Sequence, residues 1–327
     1  MLLLGCCLVQ GQTKSNVVPK LAYSVRAGTL TNILVAADGS GQFKSVQEGI
    51  QAAATGRLTQ PIIVHVKPGV YKELIYVQRE KRFLRLVGEN PTNTILTYDL
   101  NASLQGPDGK PIGTFRTPSC FVDADDFAAE NLTFKNSSGP VGQALAIRLD
   151  GDCLAFRNCR FLGWQDTILD NRGRHYFENC YIEGHVDFIF GAATSWFEKC
   201  HIHCLRDGYI TAASTPENVP FGFVFSNCRV TGAEGVRTFL GRPWRAFASV
   251  TWLNAEMSDV IRAEGWDNWR DPARERTVRY GEFNSTGPGA NSKSRVAWAR
   301  QLTSEEAGTI TMKKVLGGMD NWDPGLK

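Results

Sequence analysis

A short word recurs along the middle of this chain: an apolar or aromatic residue, one or two polar residues, then cysteine among further strand formers. It reads Ala155-Phe156-Arg157-Asn158-Cys159-Arg160-Phe161, then Tyr176-Phe177-Glu178-Asn179-Cys180-Tyr181-Ile182. Trp196-Phe197-Glu198-Lys199-Cys200-His201-Ile202 and Val224-Phe225-Ser226-Asn227-Cys228-Arg229-Val230 follow, and Glu130-Asn131-Leu132-Thr133-Phe134 is the same unit with Leu for Cys. The steps from Leu132 to Cys159, Cys180, Cys200 and Cys228 are 27, 21, 20 and 28 residues. A period of this size built from short β-type segments is the mark of a solenoid. Leucine-rich repeats share the period, but their leucine and asparagine scaffold is missing. The segments are β-branched and aromatic, with Gly and Asn at the turns. The pattern predicts an all-β, single-stranded right-handed parallel β-helix, each coil laying a strand ~4.8 Å above the last.

Stacked coils carry further consequences. Equivalent cysteines form an inward ladder, and neighbouring rungs lie within the ~4.4–6.8 Å Cα range of a disulfide. In an exported protein Cys180–Cys200 is the first pair to expect, with core thiols as the equal alternative. Terminal coils need covers. Ser45-Val46-Gln47-Glu48 reads as a capping box opening a short helix that closes the N-terminal end, with Val46, Ile50 and Ala53 on its apolar face. Leu302 to Ala307 reads as a second short helix at the other end. Between Arg262 and Asn291 a rise in Gly, Pro, Trp and Asn predicts long surface loops. Length alone suggests two domains, but the continuous repeat argues for one, spanning residues 29–327. Residues 1–28 read as a leader: Met1 to Val9 is apolar, too short to span a bilayer and without the basic start of a full signal. It fits a truncated secretory signal, a start inside a longer one, or, at Leu4-Gly5-Cys6, a faint lipoprotein site.

Composition narrows the function classes. Thirty-six Lys plus Arg against thirty-three Asp plus Glu leave a net charge of only +3 in 327 residues. That balance argues against a nucleic-acid partner, and no apolar run approaches the ~20 residues of a membrane span. Cys200-His201-Ile202-His203-Cys204 suggests zinc at first sight. On a strand, however, the histidines face away from the thiols, so no metal and no cofactor is expected.

Asp166 lies seven residues after Cys159, and Asp187 seven after Cys180. If the cysteines stack, so do these aspartates, and two adjacent carboxylates cannot both ionise cheaply. One then keeps a proton beside a charged twin, which is what an acid next to a nucleophile or base requires. Asp207, seven after Cys200, falls in the same column. Leu240-Gly241-Arg242-Pro243-Trp244 adds a guanidinium suited to holding a carboxylate ionised, and an aromatic ring for a sugar to stack on.

These words, with Asp38-Gly39-Ser40-Gly41, Gly69-Val70-Tyr71-Lys72-Glu73, Gln143 to Arg148, and Tyr280-Gly281-Glu282-Phe283-Asn284, make the chain resemble the pectin methylesterase family from about Leu34 to Asp323. Each word is weak alone, but their order is specific. The resemblance implies a secreted or periplasmic carboxylic ester hydrolase acting on methyl-esterified polygalacturonate as a monomer, without a cofactor. It implies Asp187 as nucleophile held by Arg242, Asp166 as acid and then base, and Gln143 and Gln165 as oxyanion donors. Trp244 and Trp266 are implied to line the sugar cleft with Arg242. Gln165 and Asp166 are adjacent, so both can reach one site only if the strand ends or bends there. A lyase would want an acidic calcium cluster near a base, a polygalacturonase carboxylates flanking a glycosidic bond, and a serine esterase the absent G-x-S-x-G. A non-catalytic β-helix adhering to acidic polysaccharide would not need opposed carboxylates.

Overall fold

A computed structural model describes residues 29–55 and 60–325. The leader assigned to residues 1–28 lies outside the described residues. The chain winds as a parallel β-helix. One face is an 11-stranded sheet in which every pairing is parallel, running from Asn32–Val35 at one end to Arg300–Gln301 at the other. The other two faces belong to a 13-stranded sheet, because Tyr181–Gly191 and His201–Ala213 each run unbroken across the corner between them. We call the three the first, second and third faces in chain order within a coil.

Register is like on like. Phe156, Phe177, Phe197, Phe225 and Trp252 stand directly above one another on the first face, with stacked rings 5.1, 4.5, 4.5 and 4.0 Å apart. Three residues after each comes the next ladder: Cys159, Cys180, Cys200, Cys228 and then Ala255, all buried. The thiols are free. Those of Cys180, Cys200 and Cys228 donate to the carbonyls of Phe156, Phe177 and Phe197 one coil back, at 3.6, 3.5 and 3.3 Å. Burial pushes the Cys159 and Cys200 thiols well above their ordinary pKa, which keeps them inert. Core thiols, rather than a Cys180–Cys200 bridge, fill this ladder.

The residue before each ladder position turns the chain from the first face to the second. Asn131, Asn158, Asn179, Lys199, Asn227, Asn254 and Asn284 all have φ between 50° and 57°. Asn tolerates this left-handed conformation better than most residues because its short amide bonds locally.

The predicted N-terminal helix forms over Val46–Ala52, buries Val46 and Ile50 and is N-capped by Ser45. Half of the expected capping box is supplied from elsewhere. Glu73, not Glu48, accepts from the Ser45 hydroxyl and from the amides of Val46 and Gln47, at 2.5, 2.8 and 3.0 Å. This contact explains the acidic end of the Gly69–Glu73 word. At the C-terminal end of the helix the fully buried Lys81 donates to the carbonyls of Gln51 and Ala53, 2.9 and 2.5 Å away.

The second predicted helix forms as Ser304–Gly308 with a complete Thr303–Glu306 capping box, and a further helix follows at Met312–Leu316. Neither plugs the end of the solenoid. The tail folds back along the outside of the first face, where Ala307, Val315 and Leu316 cover Tyr176, Trp196, Val224 and Leu253. Those four side chains are apolar on the side of the sheet that would otherwise face water, so the cover there removes apolar surface from solvent. Arg174 anchors the returning chain by bonding both Asp152 and Asp320, at 2.6 Å each.

Candidate active site

The aspartate column falls at the corner between the second and third faces. Ile168 pairs with Ile189, which sets Asp166 and Asp187 level in consecutive coils. Both take left-handed backbone, with φ of 65° and 51°. For Asp166 this bend separates the strands Arg160–Leu162 and Ile168–Asp170, and its amide donates to the Val186 carbonyl at 3.0 Å. The bend resolves the conflict between Gln165 and Asp166: neighbours in sequence, both line one cleft of about 360 Å³ with Gln143, Asp187, Arg242, Trp244 and Trp269.

Arg242 forks onto Asp187, its Nε 2.9 Å from Oδ1 and its Nη2 2.7 Å from Oδ2. The guanidinium is clamped between the Tyr209 and Trp269 rings, 3.8 Å from each centroid. Such a cation–π sandwich fixes its plane before any ligand arrives. The residue before it must be glycine, since a Cβ on Gly241 would lie 2.0 Å from the Thr211 hydroxyl.

Burial and the Arg242 fork divide the two acids. Burial raises the Asp187 carboxyl above its ordinary range, the hydrogen bonds and charge of Arg242 oppose that rise, and Asp267 adds to it. Asp166 is pushed well above the ordinary range by burial and then by the charge of Asp187; Arg242 acts on it only at a distance. The pair titrates as a unit. In its singly charged state the proton belongs on Asp166, because only Asp187 has a guanidinium in two-point contact.

Gln143 and Gln165 pair as an isolated parallel bridge on adjacent coils, so their amides enter the cleft from the same side. Part of the lining is apolar: Phe190 and Ala212 belong to a buried cluster with Leu145 and Leu169, and Trp244 and Trp269 pack against it. Trp244 meets Phe190 edge-on at 5.8 Å and leans on Phe115 at 6.4 Å.

Two sequence expectations move. Trp266 is not in the cleft: it is 1% exposed, stacks on Tyr280 at 4.3 Å and donates its Nε1–H to Glu282 at 3.0 Å. Trp269, three residues on, takes the cleft position, with φ of 59° at Trp269 and 57° at Arg270. Two consecutive non-glycine residues in that region are costly and occur where a site dictates the chain path. Here Asp267 accepts from the Trp269 amide at 2.7 Å and holds the turn. Asp207 also leaves the column. Gly184 pairs with Cys204 but Val186 pairs with Tyr209, so its coil carries extra residues that throw Asp207 outward. It is 62% exposed there, bonded to the Arg237 amide and to Arg262. Sequence reasoning misses Tyr209, Thr114 and Phe115, which reach the site from separate parts of the chain with no local pattern to mark them.

A pectinesterase family model matches residues 32–319. The chain belongs to the pectinesterase family. Pectinesterase 31 of Arabidopsis thaliana is 42% identical over 287 residues, covering 86% of this chain and 90% of that protein. Putative pectinesterase 11 of the same plant is 40% identical over 296 residues, covering 89% and 81%. Among solved structures, pectin methylesterase from carrot superposes with a TM-score of 0.83 at 31% identity over 91% of this chain and 96% of that one. A pectin methylesterase in complex with a hexasaccharide gives 0.79 at 29%, covering 92% and 100%. As a pectinesterase the chain is a carboxylic ester hydrolase with the parallel β-helix of these relatives. None of the helices among its described residues is long and apolar enough to cross a membrane.

Proposed function

We propose that this cleft removes methyl esters from the galacturonate units of pectin, with Asp187 as nucleophile and Asp166 as proton donor and then acceptor. The observation that carries the reading is the asymmetry of the pair: two level carboxyls, one of them in a two-point contact with Arg242. Ionised Asp187 attacks the ester carbonyl carbon. The carbonyl oxygen becomes an oxyanion, which the side-chain amides of Gln143 and Gln165 receive as hydrogen-bond donors. As the tetrahedral adduct collapses, the C–O bond to methoxide breaks and Asp166 gives it a proton, so methanol leaves. An anhydride joins Asp187 to the sugar acid. Asp166, now a carboxylate, takes a proton from water, and the hydroxide attacks the sugar-side carbonyl of the anhydride. The second tetrahedral adduct collapses with Asp187 leaving as a carboxylate, Asp166 is again protonated, and the sugar acid released gives its own proton to water to become galacturonate.

Trp244 and Trp269 offer flat apolar faces at the cleft for pyranose rings, so the role the resemblance implies for Trp266 passes to Trp269. One chain supplies every side chain the mechanism uses, which supports action as a monomer. A polymeric substrate of this kind supports an exported, secreted or periplasmic enzyme. Methanol release from highly esterified pectin is the test. The reading requires release with concurrent appearance of acid groups; binding to pectin with no methanol at any pH from about 5 to 9, a range that starts above the ordinary carboxyl pKa of about 4 and extends to values documented for buried carboxyls, would leave only an adhesive role.

A further inference from the structure

The outer surface of the second face carries a feature the esterase reading does not use. His201 and His203 alternate with the fully buried Ile202, and the buried Cys200 and Cys204 point inward. Both imidazoles therefore project from one side of a strand, with ring centroids 6.0 Å apart. They converge on a single atom. His201 Nε2 is 2.7 Å and His203 Nδ1 is 2.8 Å from the Thr231 hydroxyl oxygen, which stands opposite His203 on the neighbouring strand. A hydroxyl carries one hydrogen. With its two lone pairs it either donates to one ring and accepts from the other or accepts from both, and a neutral imidazole can turn a lone pair to the same point by a change of tautomer.

The strand on the other side carries a carboxylate. Glu183 pairs with His203 and Tyr181 with His201, and the Tyr181 hydroxyl donates to Glu183 at 2.9 Å. Two nitrogens on one side of a rigid strand thus converge on one point, with the Glu183 carboxylate one rung away on the side opposite Thr231. We propose that His201 and His203 bind one borderline divalent transition-metal ion of the Ni²⁺ or Zn²⁺ class. The ion occupies the point where Thr231 now receives both rings. Metal–nitrogen bonds of about 2.0–2.1 Å are shorter than the present contacts, so the rings close on the ion as the hydroxyl swings away.

The surroundings agree with that choice of ion. Arg229 stands beside His201 in register, and Arg160 lies over the Tyr181 ring at 5.3 Å. These cations disfavour hard ions that are held by charge alone. Imidazole donors instead favour ions that form strong bonds to nitrogen. The one group of three possible ligands with donor atoms in reach of one another among the described residues, Asp152, Cys153 and Asp320, already holds the Arg174 guanidinium between its carboxylates.

The test is isothermal titration of the purified full chain with Ni²⁺ and, separately, Zn²⁺ at pH 7.5. One ion per chain is expected, with affinity falling at least tenfold in His201→Gln and in His203→Gln. Thr231→Val should retain binding, since the hydroxyl is displaced rather than required, and Glu183→Gln should retain it as well, since that carboxylate lies across the strand from the ion. The ion should also raise the melting temperature of the unaltered chain but not of the double histidine variant. Methanol release should be unchanged in the histidine variants, which shows that they are folded. Equal affinity in the double histidine variant and the unaltered chain overturns the proposal, as does no uptake by the unaltered chain.

Discussion

Two corners of the same solenoid use one backbone device for opposite ends. At the corner between the first and second faces, seven residues from Asn131 to Asn284 turn the chain with positive φ, and every layer repeats the last. At the corner between the second and third faces, Asp166 and Asp187 turn it in the same way. The first corner sits beside stacked rings and thiols, where repeating a residue adds contact. The second repeats a carboxyl, where repetition adds repulsion and desolvation. A β-helix brings like onto like wherever the register holds, whether or not the result is favourable. At the second corner the structure brings in a counter-charge from another coil, Arg242, and it does so for one aspartate alone.

The largest break in this contrast is Asp187→Ala. It removes the nucleophile and leaves Arg242 without its partner, so turnover on pectin should fall by about four orders of magnitude or more. Circular dichroism should be unchanged, because the stacked ladders lie elsewhere. Turnover within tenfold of the parent would assign the attack to another group.

Asp166→Asn comes next and sharpens the contrast in both directions. Loss of a proton donor in the transition state costs on the order of 10²–10⁴ in rate. The same change should stabilise the fold at neutral pH. The sign follows from the raised pKa: the unfolded chain gives up this proton readily above the ordinary carboxylate range, while the folded site resists, so stability is lost as pH climbs from the ordinary value toward the folded one. An amide has no such proton. Its melting temperature should therefore exceed the parent's at pH 8 and converge with it at pH 4. In the parent, methanol release should decline on the alkaline side as Asp166 loses its proton, and on the acid side as Asp187 gains one. A melting temperature below the parent's at pH 8 would mean that the pair is not strained as described.

What the sequence makes legible follows the same division. The aromatic and cysteine ladders can be read because stacking demands the same residue type at each return, and Asp166 and Asp187 can be paired because their coils have equal length. The reading fails wherever position depends on irregular chain. Trp266 and Trp269 are three residues apart in a loop with no period, and only the turn held by Asp267 decides which ring reaches the cleft. The cap on the first helix comes from Glu73, more than 20 residues away, and no local pattern announces it. The tail reads as a second short helix at the far end of the repeat, where a terminal coil needs a cover. Its true berth depends on Tyr176, Trp196 and Val224 presenting an apolar outer surface, visible only once the sheet is assembled.

A break at the favourable corner should read out in stability rather than rate. Phe197 is fully buried, with Phe177 and Phe225 stacked 4.5 Å on either side. Truncating it to alanine leaves a cavity in the middle of the ladder, where neighbours pinned by their own strands cannot collapse inward. The expected loss is about 3–5 kcal/mol, the range for a buried aromatic, measured by denaturant unfolding. The specific rate of the remaining folded enzyme should hold. A loss below about 1 kcal/mol, the size of an ordinary surface effect, would show that the rings fill space without supporting it.

The smallest effect tests the column itself. By spacing alone Asp207 belongs beside Asp187, and a carboxylate there would raise the pKa of both neighbours and bear on the rate. The extra residues between Cys204 and Tyr209 instead put it at the surface, beside Arg262. Exposed pairs of this kind are worth about 0–1 kcal/mol. Asp207→Asn should accordingly leave turnover within about twofold and leave both limbs of the pH profile in place, since no charge is removed from the cleft. If the alkaline limb shifted by a full pH unit, the third carboxylate would be coupled to the other two, and the outward bulge that separates the coils would not exist in solution.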